Sequence, residues 1–313
     1  MKPLPLRQTE LDSLLQKIHL HVNSAPRRGQ VATYIPALAS VDANKFGLAV
    51  ATLDGNVSSV GDAAEPFSIQ SISKLFALVL ACKTIGSDLW IRVDRMPSSN
   101  QFNSLIELEI ESGKPRNPFV NAGALVVSDC LSSRFVQMES AVVHLIRELT
   151  GNPEINYDRA VAASEMAVAH RNMAAAYLMK SFSNFANPVD QVLKAYCAQC
   201  AIRSSCIDLA RGALFLANRG VCPSTKKVVI SPTQTHQVCS LMTSSGTYES
   251  SGETSFTIGL PVKSGVGGGL LGIIPGYGAI CAWSPSLDQS GTSVAGLDAL
   301  QQFVAETDCS VFL

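Results

Sequence analysis

The chain has 313 residues, 47% of them hydrophobic and 16% charged, with a formal net charge of -1. That much apolar material sustains a large packed core, in one big domain or two smaller ones. Basic residues cluster no further than Arg27-Arg28 and Lys226-Lys227, which speaks against a nucleic-acid partner, and no run of eighteen apolar residues offers a membrane span.

Residues 1–10 place polar side chains before any apolar run of signal-peptide length, so no secretion signal is expected. Residues 8–22 carry Leu11, Leu14, Leu15, Ile18 and His19 at helical spacing. Phe46 to Leu53 reads as a strand ending in the turn Asp54-Gly55-Asn56, and Val57 to Val60 returns. Asp-Gly between apolar runs signals a hairpin. After Pro66 an apolar helix is expected from Ile69 to Thr84. Residues 92–120, rich in Pro, Ser and Asn, read as loop. Helices are then predicted at about 121–132, 138–149, 157–183, 188–201, 205–218 and 233–243. Strands follow at 256–263, 270–274 and 279–283, and a helix at 292–306 closes the chain. Strands near both ends with helices between predict an α+β fold: one antiparallel sheet built from both termini, flanked by helices, with a mostly helical insertion. The expected division is a single domain over 1–313, with a sheet part at about 1–85 and 245–313 and a helical part at about 86–244.

Nine scattered cysteines, an odd number, predict reduced thiols and a cytoplasmic chain. Cys197 and Cys200 form a C-x-x-C pair inside a predicted helix, without the second ligand pair that zinc requires, and read as small core residues. The five histidines are dispersed. Neither a metal nor a cofactor is expected.

The segment Phe67-Ser-Ile-Gln-Ser71-Ile-Ser-Lys74-Leu-Phe76 carries the chemistry. Spacing of i, i+3 puts Ser71 and Lys74 on one helix face. Ser68 is the expected N-cap, leaving Ser71 in the first turn, where backbone N–H groups lack intrahelical partners. Burial and the positive helix end both disfavour an ammonium at Lys74, which favours a neutral amine able to take the serine proton. An ordinary helix start with a snorkelling lysine fits the same residues, and Ser224-x-x-Lys227 is a second match, in a polar loop. The C-terminal segment Leu260-Pro-Val-Lys263-Ser264-Gly265, followed by Val266-Gly-Gly-Gly269, resembles the Lys-Thr/Ser-Gly strand of penicillin-recognising serine enzymes. A strand of small residues lets a substrate lie against the backbone, with the Val266 N–H as a second oxyanion donor. A Gly-rich hairpin is the plainer reading of that segment. The two motifs in this order favour a serine hydrolase.

With these motifs and Tyr34-Ile-Pro-Ala-Leu-Ala, Phe102-Asn-Ser-Leu, Arg116-Asn-Pro-Phe-Val-Asn-Ala-Gly-Ala, Ser164-Glu, Arg171-Asn and Trp283-Ser-Pro-Ser-Leu-Asp, the chain resembles the serine-dependent glutaminases from about residue 10 to 307. The resemblance implies a β-lactamase/DD-peptidase-like fold and hydrolysis of L-glutamine to L-glutamate and ammonia through a γ-glutamyl-serine. It implies Ser71 as nucleophile, Lys74 as base, Tyr196 and Tyr248 as active-site tyrosines, and Val266 as an oxyanion amide. It implies Tyr34, Gln70, Asn121, Glu165 and Asn172 as further substrate contacts. Glu165 and Asn172, seven apart, are expected on one face of a helix. Thr247 before Tyr248 departs from the family's common methionine. A homodimer or homotetramer is implied as well. A penicillin-interacting hydrolase and a non-catalytic glutamine or glutamate sensor are the alternatives.

Overall fold

The computed structural model describes residues 4–24, 29–98, 100–101 and 103–313. Met1 to Pro3, the Arg27-Arg28 pair and Phe102 of the Phe-Asn-Ser-Leu motif lie outside the described residues.

Among the described residues, eight strands form two sheets. They are β1 (Gly47–Thr52), β2 (Val57–Gly61), β3 (Phe67–Ser68), β4 (Asn156–Tyr157), β5 (Ile202–Ser204), β6 (Val262–Gly265), β7 (Gly269–Ile274) and β8 (Gly278–Trp283). The large sheet is antiparallel with order β2-β1-β8-β7-β6, so strands from both ends of the chain pair along β1 and β8. This is the α+β architecture expected from the strand positions, and it agrees with the β-lactamase-like fold that the resemblance implies.

Alternation along the strands shows why the sheet sits where it does. Leu48, Val50, Leu270, Ile274, Ile280 and Ala282 face the helices Gln8–Ser24 and Val294–Thr307. Ala49, Ala51, Leu271, Ile273, Ala279, Cys281 and Trp283 face the opposite way, into the larger core shared with the central helices. A period of two with both faces apolar is what a sheet covered on both sides requires. Ser73–Thr84 is the innermost helix: every residue from Ser73 to Cys82 is buried. Its apolar character all round, rather than on one stripe, matches that position.

Several expectations are corrected. Ser68 is no N-cap. It lies in β3, its hydroxyl donating to the Cys200 carbonyl (3.3 Å) and accepting from Gln70 Nε2 (3.0 Å). A 3₁₀ turn, Gln70–Ile72, precedes the helix, which starts at Ser73 with no side-chain cap. The helix expected over 157–183 is two, Arg159–Ala167 and His170–Ser181, broken at Val168-Ala169 without Gly or Pro. Glu165 and Asn172 therefore stand on different helices. Residues 205–218 likewise divide into Cys206–Gly212 and Leu214–Ala217. The apolar residues of 256–263 do not form one strand, because Ser251–Thr257 is helical and leaves Phe256 89% exposed. The loop expected at 92–120 contains a short helix, Ile106–Ile110. The small sheet β3-β5-β4 has strands of only two or three residues, too short for periodicity to reveal.

Candidate active site

The 3₁₀ turn Gln70–Ile72 is held between the two sheets. Ile69 N–H donates to the Ile202 carbonyl beside β5, and the Gly265–Gly267 segment closes from the other side. A Cβ at Gly267 would collide with the Ser68 carbonyl, and one at Gly265 with that of Ile69. Only glycine permits this approach, which brings Val266 beside the turn. Trp283, stacked on Phe67 with centroids 4.9 Å apart, donates Nε1–H to the Gly267 carbonyl (3.0 Å) and anchors that segment. Gln70 holds a positive φ of 48° and Tyr248 one of 57°. Such backbone costs about 1–3 kcal/mol per residue and concentrates at functional sites.

Lys74 is 1% exposed. Its Nζ donates to the Phe119 carbonyl (3.0 Å), to Asn121 Oδ1 (2.7 Å) and to the Tyr248 hydroxyl (3.3 Å). The Ser71 side chain lies next to the Tyr248 phenol and acts against burial on it. Ser71, Tyr248 and Lys74 thus form one row into the interior, whereas Tyr196 has Cys200 as its neighbour one turn along the Val189–Cys200 helix. Burial lowers the Lys74 pKa to about 8, against smaller opposing effects from Cys200 and Glu165. Burial also pushes the Tyr248 and Tyr196 phenols up. Lys263 is fully buried too. It donates to the carbonyls of Gly246 and Ser264, both at 2.7 Å, and sits 4.3 Å from the Tyr248 ring centroid. Burial and then the neighbouring Lys74 push its pKa down. Thr247, the departure from the family pattern, is tied to Ser251 and Thr254 and so holds the backbone just before Tyr248.

Beside this row lies a cleft of about 320 Å³ whose walls include Tyr34, Gln70, Ser71, Asn121, Glu165, Asn172, Tyr196 and Val266. Of the catalytic and substrate-contact residues that the resemblance implies, all line it except Lys74 and Tyr248. Asn121 Nδ2 donates to Asn172 Oδ1 at 3.0 Å, so the two amides form one unit between the Asn121–Ser132 and His170–Ser181 helices. Glu165 is buried, and burial raises its carboxyl to about 7 against the smaller opposing influences of Gln70, Lys74 and Cys200. One carboxylate oxygen, Oε2, has no partner. Tyr34 stands at the mouth, 54% exposed. Asn103, Arg171 and Cys200 also line the cleft and carry no role from the sequence reading. A loop asparagine and a helix cysteine give no local signal of which long-range cavity they face. A larger cleft of about 440 Å³ lies on the far side of Val266. Its Lys45 is paired with Asp62 and Glu65, Arg203 with the Pro66 carbonyl and Asp158 with the next helix's N–H groups, so its charges are already satisfied. Among the described residues, no group of three or more His, Cys, Asp or Glu side chains could hold a metal ion.

Comparison with known proteins agrees with this picture. A sequence model of the glutaminase family matches residues 29–312. A glutaminase of Paraburkholderia phytofirmans is 49% identical over 300 residues, covering 96% of this chain and 99% of the relative. One of Cronobacter sakazakii is 50% identical over 302 residues, covering 96% and 98%. Among solved structures, a probable glutaminase superposes with a TM-score of 0.93 at 33% identity, covering 98% of this chain and 99% of the other. A probable glutaminase of Bacillus subtilis gives 0.86 at 30% identity, covering 97% of each.

Proposed function

Because the chain belongs to the glutaminase family and hydrolyses L-glutamine to L-glutamate and ammonia, we propose that it does so through a γ-glutamyl ester on Ser71. The observation that carries this reading is the buried chain from Ser71 through Tyr248 to Lys74, set beside an unpaired Glu165 oxygen.

The zwitterion binds with its α-ammonium on Glu165. Asn121, Asn172 and the hydroxyls of Tyr34 and Tyr196 hold the α-carboxylate and orient the side chain, while Gln70 steadies Glu165. Neutral Lys74 draws a proton through Tyr248 as the Ser71 oxygen attacks the γ-carboxamide carbon. The N–H groups of Ser71 and Val266 receive the oxyanion. The proton returns to the leaving nitrogen, the C–N bond breaks and ammonia departs. Water then attacks the ester with the same base, the acyl C–O bond to Ser71 breaks and glutamate leaves. Lys263, whose Nζ lies under the Tyr248 ring, positions that tyrosine. Purified protein supplied with glutamine should release ammonia and glutamate at equal rates; ammonia without glutamate, or neither product, contradicts the reading.

Two consequences follow for measurement. A methyl at Gly267 pushes the Val266 amide off the turn, so Gly267→Ala is expected to lower kcat by about 100-fold, the usual loss for one oxyanion donor, with KM little changed. An unchanged kcat would place the donor elsewhere. The active forms, anionic Glu165 and neutral Lys74, both accumulate as pH rises through about 7 and about 8. Values of kcat/KM measured from about pH 6 to about pH 9.5 are therefore expected to climb on the alkaline side of neutrality. A profile that falls over that interval would be the wrong sign.

The chain works as one domain, with the sheet part at about 1–85 and 245–313 meeting the helical part at about 86–244 along the cleft. Nine free thiols support a cytoplasmic setting, and among the described residues no helix is long and apolar enough to cross a membrane. The exposed Ile91, Ile106, Ile110 and Val136 offer apolar surface for assembly into a homodimer or homotetramer.

A further inference from the structure

Six described side chains carry a buried oxygen or nitrogen without a hydrogen-bond partner: Asn103, Glu165, Gln199, Ser204, Tyr277 and Ser284. Only Asn103 and Glu165 line the cleft, and in both the orphaned atom is an oxygen, Oδ1 and Oε2. Buried acceptors left unpaired are rare in native structures because each gives up its bonds to water. Two of them on residues that line one cleft match a ligand that brings donors and no acceptor. An α-ammonium is such a group, with three N–H donors in tetrahedral directions. The free Glu165 oxygen, Oε2, cannot by itself accept all three N–H groups. A neutral amide oxygen supplies another acceptor without setting a second negative charge against Glu165.

Resting on the reading of this cleft as a glutamine clamp, we infer that Asn103 is a second acceptor for the substrate's α-ammonium, shared with Glu165, and that it helps select α-amino acids over ligands lacking that group. The residue sits in the segment just before the Ile106–Ile110 helix and is remote in sequence from Glu165, so the pair exists only in the folded chain.

The test compares two inhibitors of glutamine hydrolysis by the full chain: L-glutamate, and glutarate, which keeps both carboxylates and lacks the amino group. In Asn103→Ala the inhibition constant of L-glutamate is expected to rise about tenfold, while that of glutarate stays within about twofold. A packing role, or an amide turned to bind the α-carboxylate, weakens both inhibitors alike and overturns the assignment. Glu165→Gln is the control. If it also fails to separate the two inhibitors, the ammonium clamp itself is wrong. If it separates them and Asn103→Ala does not, only the role of Asn103 falls.

Discussion

Ser71→Ala is expected to lower kcat for glutamine by about 10⁴- to 10⁶-fold, while L-glutamate binds within about threefold of its original affinity. The hydroxyl is the only group in the chain Ser71–Tyr248–Lys74 that faces the cleft. Its removal deletes the covalent route but leaves Glu165, Asn121, Asn172 and the backbone amides in place. Residual activity then reflects binding and oxyanion stabilisation alone. The substitution removes one oxygen from a residue in a turn held by backbone contacts to β5 and the Gly265–Gly267 segment, so stability should barely change. Initial-rate kinetics and calorimetric titration with L-glutamate read both parts. A variant that keeps a tenth of the parent kcat would remove Ser71 from the reaction.

Lys74→Met is expected to lower kcat by about 10³- to 10⁴-fold, the range of a positioned general base, without lowering Tm at pH 7. The second half follows from linkage. The folded chain holds Lys74 at a pKa of about 8 against an ordinary 10.5, so between these values the unfolded chain binds more protons and stability rises with pH. Below about pH 8 the folded state carries the full cost of a buried ammonium, on the order of 3 kcal/mol. Methionine, of similar length and apolar, removes that cost and gives up the hydrogen bonds to Phe119, Asn121 and Tyr248. The two roughly offset. Thermal melts at about pH 7 and about pH 10 should show the parent gaining on the variant as pH rises. A variant that melts well below the parent at neutral pH would make Lys74 a structural residue first.

The residues that could be read from the sequence are those whose meaning is local. Ser71 and Lys74 are three apart, and the short apolar runs at 47–52 and 278–283, bounded by turn residues, read as strands. What stayed hidden depends on distant partners. Nothing in the spacing tells that Lys74 meets the Phe119 carbonyl or that Lys263 lies under Tyr248. The break between Glu165 and Asn172 has no Gly or Pro to announce it, so continuous helical spacing placed them on one face when two helices carry them. Ser68 looked like a cap because its residue type suits one, yet pairing of β3 with β5 takes its backbone into a strand. Phe256 drew a strand prediction from its apolar character, but it points to solvent from a helix.

The most direct test of a nucleophilic Ser71 is peptide mapping after reaction with a glutamine analogue that bears an electrophilic ketone at the γ-position. A single adduct on Ser71, suppressed by L-glutamate and absent from Ser71→Ala, is the predicted result. Stoichiometric, glutamate-protected labelling of any other residue would contradict it.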